Sequence, residues 1–415
     1  MKDFRITIFI VCAVFWGTSE LANAACDQTL NPGANVASVV AAAAAGSTIC
    51  LNSGHYETIQ FISFTKSPRV TVRSVTPLGA TMFLRIYSNV NGLTVDGINF
   101  TGGLTIGAAG SSDGADNRNI TVQNSALGTQ QLFLSTAGFN NNNLLFDHNT
   151  FGQFNAMGGF EGRFQITGLA ATPSGVTVTN NTFGPGGCSD GIQVGSRGVV
   201  IGPGNTFIHV TPSLICDAIY GGRANSPHID AIQGYGQKDT LVQGNYFVDN
   251  LVDLGFYDGG QNEQFLNNVM KHSASSGQNI QLGSIQGGTF RHNTVINTVA
   301  AQGAKAGSPL NSNFTWRNNI FVNSSILDSG DQPGCSPGCT IDANLFSSNP
   351  RGTNTIVGIP TFTDGAAPSR WAGYQLTSTS LGYKTASDGK DKGIDVSTSP
   401  SAGAPPPSPD KLQVQ

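Results

Sequence analysis

The sequence predicts an all-β solenoid, in which short strands stack in successive coils, and two observations support this fold class. The first is a recurrent phrase, an asparagine among β-branched and aromatic residues, as in residues 178–183 (VTNNTF) and 316–321 (WRNNIF). The second is its spacing: successive asparagines are 25, 32, 24, 40, 23, 25 and 26 residues apart. A repeat in the twenties is typical of solenoids built from short strands. The eight asparagines are Asn124, Asn149, Asn181, Asn205, Asn245, Asn268, Asn293 and Asn319.

Each repeated asparagine is predicted to lie at a bend between two strands, because asparagine tolerates the left-handed conformation that such bends use. Coils stack at roughly 4.8 Å, so each amide could hydrogen-bond its copy on the next coil. The two longest gaps, 32 and 40 residues, indicate loops inserted into single coils. Insertions into a solenoid usually lie on its binding face.

The first 24 residues have the features of a secretory signal peptide. Lys2 and Arg5 form a basic start, residues 6–15 are apolar, and Ala22-Asn23-Ala24 fits a small-residue cleavage site. No later stretch is long and apolar enough to span a bilayer. A lipoprotein anchor at Cys26 is less favoured, because Asn23 occupies a position that requires a small residue. We therefore expect an exported protein, either extracellular or periplasmic.

The remaining chain divides into three segments after the signal peptide at 1–24. Residues 35–45 are predicted to form a helix that ends at Gly46, and we expect it to cap the solenoid within an N-terminal segment spanning 25–65. About ten coils, stacked at ordinary strand spacing, are expected over 66–346. Residues 347–415 are assigned to a closing segment and a flexible, Pro-rich tail.

Charge and composition restrict the possible partners. Only 11% of the 415 residues are charged and the net charge is −4. This excludes the basic footprint of a nucleic-acid-binding protein. The polar surface is instead expected to consist of Asn, Gln, Ser, Thr and Gly, a composition suited to sugar hydroxyls although many Gly-rich β proteins share it. We expect a monomer that binds an extracellular polysaccharide and has no membrane span.

Six of the seven cysteines remain after removal of the signal peptide. An even number in an oxidising compartment indicates disulfides, although the sequence does not prove their connectivity. Neighbours along the chain give three local pairs: Cys26 with Cys50, Cys188 with Cys216, and Cys335 with Cys339.

Glutamines recur at a fixed distance from the asparagines. Gln193, Gln233 and Gln281 each stand twelve residues before a repeated asparagine, and Gln165 stands in a longer coil. Their apolar neighbours are predicted to face the core, so by alternation the amides face outward. Such a column could bind a glycan that lies along the solenoid, or it could be a structural amide ladder. Counting in the same way places Phe256 in the coil between Gln233 and Gln281.

Three carboxylates precede this column by three residues, on three successive coils: Asp190, Asp230 and Asp253. Neighbouring members are predicted to lie roughly 5 Å apart. Like charges this close shift each other's pKa, which is a feature of functional sites. The alternative is a buried structural network. Other candidates for the site flank the cluster in the sequence: Arg223, His228, Tyr257 and Lys271.

The repeated coils, the helix at 35–45 and the segment from Leu376 to Asp395 resemble the single-stranded right-handed parallel β-helix superfamily, which includes pectate and alginate lyases, epimerases and polygalacturonase-type hydrolases. Residues 189–192 and 228–232 are similar to the carboxylate-bearing coils of the hydrolases, whose later His-Gly and Arg-x-Lys signatures are missing. The lyases hold calcium with clustered carboxylates and remove a proton with Arg or Lys. The resemblance therefore implies calcium at Asp190, Asp230 and Asp253, with Lys271, Arg223 or His228 as the base.

Three functions remain open from the sequence. The first is a secreted polysaccharide lyase that cleaves a glycan containing uronic acid by β-elimination. The second is a glycoside hydrolase that uses the same carboxylates as acid and base, without a metal. The third is a non-catalytic surface or adhesion protein, because fold alone does not determine function.

Overall fold

The computed structural model describes residues 25–107, 116–136, 142–155, 162–168, 172–222 and 229–398. The predicted signal peptide at 1–24, the candidates Arg223 and His228, and the tail after residue 398 lie outside the described residues. Among the described residues, no helix is long and apolar enough to cross a membrane.

Short strands follow one another along nearly the whole described chain, as expected from the asparagine repeat. The strands of the first half are β1 (Gln28–Leu30), β2 (Thr48–Leu51), β3 (Gly54–His55), β4 (Ile59–Ser74), β5 (Ala80–Asp96), β6 (Asn99–Ile106), β7 (Arg118–Gln123), β8 (Ala126–Leu127), β9 (Leu132–Ser135), β10 (Asn142–Asp147), β11 (Thr150–Phe151), β12 (Gly162–Thr167), β13 (Val176–Thr179), β14 (Thr182–Phe183), β15 (Asp190–Gly195), β16 (Val200–Ile201) and β17 (Thr206–Ile208). The remaining strands are β18 (Asp230–Gly234), β19 (Gln237–Lys238), β20 (Leu241–Gln243), β21 (Tyr246–Val248), β22 (Val252–Phe256), β23 (Gly260–Leu266), β24 (Val269–Lys271), β25 (Ile280–Gly283), β26 (Ile285–Arg291), β27 (Thr294–Ile296), β28 (Val299–Ala304), β29 (Ser312–Arg317), β30 (Ile320–Val322), β31 (Ser325–Asp328), β32 (Gln332–Pro333), β33 (Thr340–Asp342), β34 (Leu345–Phe346) and β35 (Ile356–Val357).

These strands stack in three parallel series, one for each face of a solenoid. The first series includes β7, β10, β13, β16, β20, β23 and β26. The second includes β8, β11, β14, β17, β21, β24 and β27. The third, which carries the candidate site, includes β9, β12, β15, β18, β22, β25 and β28. The fold is a parallel β-solenoid of about 12 turns. The expected number, about ten, was too low, because pairing begins at β1 and extends to β35.

Two short α-helices interrupt the strands in the part of the chain that the structure describes. The helix α1 (Val36–Ala42) begins where predicted, since the side chain of Asn35 accepts a hydrogen bond from the backbone N–H of Ser38 at 3.1 Å. It ends before the predicted boundary, and its residues Val36 and Val40 are buried in the solenoid core. The helix α2 (Leu214–Ile219) was not predicted; it lies in the loop inserted within the 40-residue interval between Asn205 and Asn245. Two 3₁₀ turns, Trp371–Tyr374 and Val396–Thr398, occur in the C-terminal segment.

The asparagines form a continuous buried ladder, as predicted. Each side-chain N–H donates to the amide oxygen one coil away, at distances from 2.9 Å between Asn205 and Asn245 to 3.2 Å between Asn293 and Asn319. The ladder continues to Asn344, which accepts from Asn319 at 3.0 Å. The prediction was wrong at Asn124, where the neighbouring Ser125 takes the ladder position and its backbone N–H donates to Asn149.

The left-handed bend lies one residue before the ladder and not at the ladder asparagine itself. Asn180, Asn267 and His292 have φ angles of 54°, 55° and 55°. Asn124 has φ 51° and therefore occupies this preceding position. The residue before the ladder asparagine therefore forms the bend, and the ladder asparagine forms the hydrogen bonds between coils.

Stacked phenylalanines fill the interior between the faces. Phe151, Phe183, Phe207 and Phe247 lie on successive coils, with ring centroids 4.5, 4.7 and 4.8 Å apart and nearly parallel planes. The spacing equals that of neighbouring strands, so identical side chains repeat in register. This column fixes the vertical register of the coils that carry the candidate site.

The C-terminal segment packs on the outside of the second series. Phe362, Tyr374, Leu376 and Ile394 form an apolar cluster with residues of the coils, including Val269. Polar contacts add to it: Trp371 Nε1 donates to Asn267 O at 2.7 Å, and His292 Nε2 lies 2.9 Å from Asp388 Oδ2.

Glu263 is a carboxyl group with no exposed surface, close to Gln237. Backbone N–H groups of Thr240 and Gln261 donate to its two oxygens at 3.2 and 3.1 Å. Burial outweighs these hydrogen bonds and raises the pKa of Glu263 from 4.5 to about 8. The folded protein therefore keeps a proton there that the unfolded chain releases above its ordinary pKa.

This proton makes the stability depend on pH. Between pH 4.5 and about pH 8 the folded state binds more protons than the unfolded state. The free energy of unfolding should therefore fall as the pH rises through this window. We expect the loss to be on the order of 5 kcal/mol. The variant Glu263→Gln should lack this loss, whereas the exposed control Glu57→Gln should retain it. Denaturant unfolding at a pH below and a pH above the window measures both. Equal pH dependence in the two variants would contradict the prediction.

Candidate functional site

The predicted glutamines share one register position on the third series. The ladder pairs Gln165 with Gln193, Gln193 with Gln233, and then Gln233 with Gly255. Gly255 in turn pairs with Gln281. These five residues are called the glutamine column below. Amides are in contact at its centre, where Gln193 Nε2 donates to Gln233 Oε1 at 2.6 Å.

Gly255, and not Phe256, occupies the column between Gln233 and Gln281, which corrects the expected alignment. Thirteen residue steps separate Gly255 from the ladder residue Asn268, whereas twelve separate Gln233 from Asn245. A count of twelve back from Asn268 therefore reaches one residue too far along the strand. Phe256 faces the interior, where its ring packs edge to face on Phe265 with centroids 4.9 Å apart.

The missing side chain at Gly255 leaves room for a carboxylate. A Cβ built there would lie 2.0 Å from Oδ2 of Asp230. Asp230 therefore fills, from the previous coil, the place that a glutamine fills elsewhere in the column. Both Asp230 and its neighbour Asp190 are covered, with 2% and 5% of their surface exposed.

Asp190 connects the backbone of one coil to the amides of the column. Its Oδ1 accepts from the backbone N–H of Asp230 at 2.8 Å, and its Oδ2 accepts from Gln193 Nε2 at 3.2 Å. Asp190, Gln193, Gln233 and Asp230 thus form one polar cluster over two successive coils. Two of the three predicted carboxylates lie together in it.

Asp253, the third predicted carboxylate, is not part of this cluster. The strand pairing places Val252 opposite Asp230, so Asp253 is one residue out of register for the same reason as Phe256. It is fully buried, its Oδ1 accepts from Asn250 Nδ2 at 3.0 Å, and its Oδ2 lies 3.0 Å from His272 Nε2. Burial alone would lower the pKa of His272, but the attraction of Asp253 outweighs it and the pKa is raised. Asp253 and His272 form a separate buried pair.

Arg163 is a residue of the site that sequence reasoning did not identify. It has no exposed surface, and its Nη2 donates to the backbone oxygen of Gly186. Its Nε and Nη1 are buried and have no hydrogen-bond partner among the described residues. Burial lowers the pKa of Arg163 to about 10, although the nearby charge of Asp190 opposes the shift. Even so, the guanidinium remains a cation at neutral pH.

The loop around Gly187 provides the space for this guanidinium. A Cβ at Gly187 would lie 2.7 Å from Arg163 Nη2, and its φ of +110° also disfavours a side chain. The same glycine's carbonyl accepts the backbone N–H of Ser213, the N-cap of α2, at 2.9 Å. The insertion is therefore attached beside Arg163. The disulfide between Cys188 and Cys216 fixes it there.

All three cysteine pairs predicted from the sequence are disulfides: Cys26–Cys50, Cys188–Cys216 and Cys335–Cys339. Cys26 and Cys50 join the first coils. Cys335 and Cys339 lie beside Asn311, whose carbonyl is 3.3 Å from Cys335 Sγ. The disulfide between Cys188 and Cys216 therefore adjoins the inserted loop, whereas Cys335 makes a parallel bridge to Asn311.

Lys271 and Tyr257 lie apart from the carboxylate cluster. Lys271 ends β24 in the second series, where it pairs with Val248 and Ile296. Tyr257 follows β22, and its hydroxyl donates to the carbonyl of Ala304 at 3.1 Å. The structure thus places Tyr257 toward the C-terminal coils of the third face.

An open pocket of about 240 Å³ lies at that end of the glutamine column. Gln281 contributes one wall, and Ser329 Oγ donates to Gln278 Oε1 at 2.9 Å on another. The lining consists of Tyr257, Gln278, Gln281, Ala301, Ser329 and Gly330. Two of the predicted substrate-binding residues, Tyr257 and Gln281, therefore lie in one concave surface.

The donor set does not fit a calcium ion held by all three aspartates. Both oxygens of Asp190 face N–H donors, and Asp253 is committed to Asn250 and His272. Calcium requires several free carboxylate or carbonyl oxygens around one point. Among the described residues, no group of three or more His, Cys, Asp or Glu side chains is arranged to bind a metal. Asp190, Asp230 and Asp253 therefore do not converge on one calcium ion.

No protein-family model and no curated protein sequence matches this chain. Solved structures do. A mannuronic acid specific family 6 polysaccharide lyase from the human gut microbiota matches with a TM-score of 0.55 and 14% identity, over 80% of this chain and 82% of that one. A family 6 lyase from Pseudopedobacter saltans gives a TM-score of 0.49 and 14% identity, over 80% and 91% of the two chains. The A-module of a mannuronan C-5 epimerase from Azotobacter vinelandii gives 0.39 and 13%, over 80% and 98%. At such identities the similarity concerns the fold alone, and the chain is a parallel β-helix.

Proposed function

We propose that this protein cleaves an extracellular polysaccharide containing uronic acid, by β-elimination. The observation that carries the proposal is the buried Arg163, with two unpartnered N–H groups among the described residues, beside the Asp190 and Asp230 cluster. An arginine of this kind suits a carboxylate ligand, because its planar donors match two carboxylate oxygens. The polysaccharide lyase with the TM-score of 0.55, which is described as mannuronic acid specific, supports the substrate class.

In the proposed reaction each group has a distinct task. Arg163 neutralises the uronate carboxylate, which makes the neighbouring C–H bond more acidic. A base removes that proton, a carbon–carbon double bond forms, and the glycosidic C–O bond breaks as its oxygen takes up a proton from water or from the protonated base. His228 and Arg223 are proposed as the base because they precede Asp230 by two and seven residues in the sequence. Lys271 is less suited, since it lies on the second series.

Asp190 and the glutamines are proposed to orient the sugar ring. Gln193 and Gln233 present amides along the column, and amides both donate to and accept from hydroxyl groups. The side chains around Gln193 and Gln233 must move when a glycan binds, because both glutamines are almost fully buried. The glycan then lies along the third series, from the cluster toward the open pocket.

A second candidate is hydrolysis, favoured by the position of Asp190 and Asp230 on consecutive coils. Carboxylates about 5 Å apart suit a retaining glycosidase, in which one acts as nucleophile and the other as acid and base. A hydrolase would then give products with retained configuration at the anomeric carbon. Products of inverted configuration would contradict the assignment of this pair.

We propose that the chain is exported, acts as a single subunit, and winds as a right-handed helix. The helix α1 is proposed to cap the N-terminal end, since it buries Val36 and Val40 in the core where the stack of coils would otherwise be open. An exported location agrees with the three disulfides.

One assay distinguishes the candidate functions. The mature protein is incubated with a panel of polysaccharides containing uronic acid, with and without a calcium chelator. We expect new ultraviolet absorbance from an unsaturated uronate together with new reducing ends. Reducing ends without that absorbance would mean hydrolysis, and neither product would mean a non-catalytic binding protein. Loss of activity with the chelator, restored by calcium, would show that the metal is required after all.

A further inference from the structure

The structure points to an uncharged sugar at one end of the glycan site: we propose that the pocket formed by Tyr257, Gln278, Gln281 and Ser329 binds a neutral sugar residue, so that the substrate is a mixed glycan in which uronates and neutral sugars occur together. The pocket and the Arg163 cluster lie on the same face and share the glutamine column. The proposal rests on the function proposed above and specifies its substrate class.

The pocket lining contains hydrogen-bonding groups but no cation. Its polar groups are the amides of Gln278 and Gln281 and the hydroxyl groups of Tyr257 and Ser329. A uronate carboxylate bound there would lose water without gaining a positive partner, which is costly. Sugar hydroxyl groups, in contrast, find both donors and acceptors in such a lining.

The charges around the pocket also disfavour an anion. Three carboxylates are direct chain neighbours of lining residues: Asp258 follows Tyr257, Asp328 precedes Ser329, and Asp331 follows Gly330. Asp258 pairs with Lys305, Asp328 accepts from Arg351 at 2.8 and 2.7 Å, and Asp331 accepts the backbone N–H of Ala306 at 3.0 Å. Three carboxylates against two cations leave one negative charge in excess. Burial and the nearby carboxylate of Asp331 raise the pKa of Tyr257, so its hydroxyl group stays protonated and neutral.

The wall of the pocket is a built feature of the fold. The strand β32 turns back and pairs antiparallel with β28, with Gly303 opposite Pro333. The side chain of Gln332 holds this return by donating to the carbonyls of Lys305 and Ser308 at 2.8 and 3.0 Å. The Tyr257 side chain lies against Gly283 and Gly330, where a Cβ would approach its ring carbon Cδ2 to 2.7 Å and its hydroxyl oxygen to 1.6 Å, respectively. Because both residues are glycines, the Tyr257 side chain has the space to occupy the position in which it faces the pocket.

The two ends of the site therefore differ in charge. Asp190 and Gln281 lie on coils three strand spacings apart, about 14 Å along the solenoid axis. Arg163, whose Nε and Nη1 have no hydrogen-bond partner among the described residues, lies at the first end. A pocket with an uncharged lining and more carboxylates than cations nearby lies at the other end. A homopolymer of uronate would place a carboxylate at both ends, whereas a mixed glycan satisfies both.

Titration calorimetry with three oligosaccharides of equal length tests this inference: an oligouronate, an uncharged hexo-oligosaccharide, and one in which uronates alternate with neutral hexoses. We expect the alternating compound to bind about 10-fold more tightly than the oligouronate. Gln281→Ala should weaken its binding by about 5-fold to 10-fold, through loss of amide hydrogen bonds. The control Gln264→Ala, an exposed glutamine on the first series, should leave binding unchanged.

The variant Gln281→Arg supplies the missing cation and should raise the affinity for the oligouronate. Equal or tighter binding of the oligouronate by the unchanged protein, together with indifference to Gln281→Ala, would overturn the inference while leaving the proposed function standing. Conversely, Gln281-dependent binding of neutral sugars with no cleavage of any uronate-containing glycan would support the pocket and refute the proposed function.

Discussion

Asp230→Asn is expected to lower the rate of glycan cleavage by about 100-fold or more, because it removes a charge from the cluster that orients the sugar in elimination, or the nucleophile or acid–base group in hydrolysis. The substitution keeps the shape of the side chain and its place over Gly255. It removes one of two carboxylates that lie on adjacent coils, where the backbone N–H of Asp230 donates to Asp190. The melting temperature should stay the same or rise, because the substitution removes the repulsion between the carboxylates of Asp190 and Asp230. Initial rates and thermal unfolding measured on the same preparation test both parts.

Asp364→Asn provides the matched control, since Asp364 is paired with Arg370 at 2.8 Å in the C-terminal segment, far along the chain from the site. Its activity should equal that of the unchanged protein. If Asp230→Asn melted early while its folded fraction remained fully active, Asp230 would be a structural residue. The cluster would then no longer be the active site.

The fold was predictable because its strongest signal is local. A ladder asparagine needs the same neighbours in each coil, a bend before it and β-branched or aromatic residues around it, so it recurs in the sequence at the coil period. The prediction failed at Asn124 for an instructive reason. Two adjacent positions both accept asparagine, one for its left-handed φ and one for its amide, and the sequence does not distinguish them when serine occupies the second.

The site was predictable only as far as register could be counted. Gln193 and Gln233 were correctly aligned because their coils have equal lengths from column to ladder. Asp253 was misplaced because a single extra residue reverses the face of a side chain in a strand. Arg163 gave no signal of its own, since burial of a charge depends on the Gly187 loop packed beside it. The helix α2 is too short for helical periodicity to reveal it.

Asn245→Ala is expected to lower the free energy of unfolding by about 3–5 kcal/mol, because it leaves several buried groups without hydrogen-bond partners. The Asn245 side chain donates to the carbonyl of Ile201 at 2.9 Å and to Asn268 Oδ1 at 3.0 Å. Its oxygen accepts from Asn205 at 2.9 Å. Alanine makes none of these hydrogen bonds, and water does not reach groups with no exposed surface. The shift in the midpoint of denaturant unfolding measures the loss.

Asn124→Ala tests whether the ladder position, and not asparagine as such, stabilises the fold. Asn124 belongs to the same sequence repeat, but its side chain makes an exposed hydrogen bond to Asp96 at 2.8 Å. An exposed hydrogen bond exchanges readily with water, so we expect a loss below about 1 kcal/mol. Part of it comes from the φ of 51°, which alanine adopts less readily than asparagine. Similar losses in both variants would contradict the assignment of Ser125 to the ladder, because the two asparagines would then contribute alike to the contact between coils.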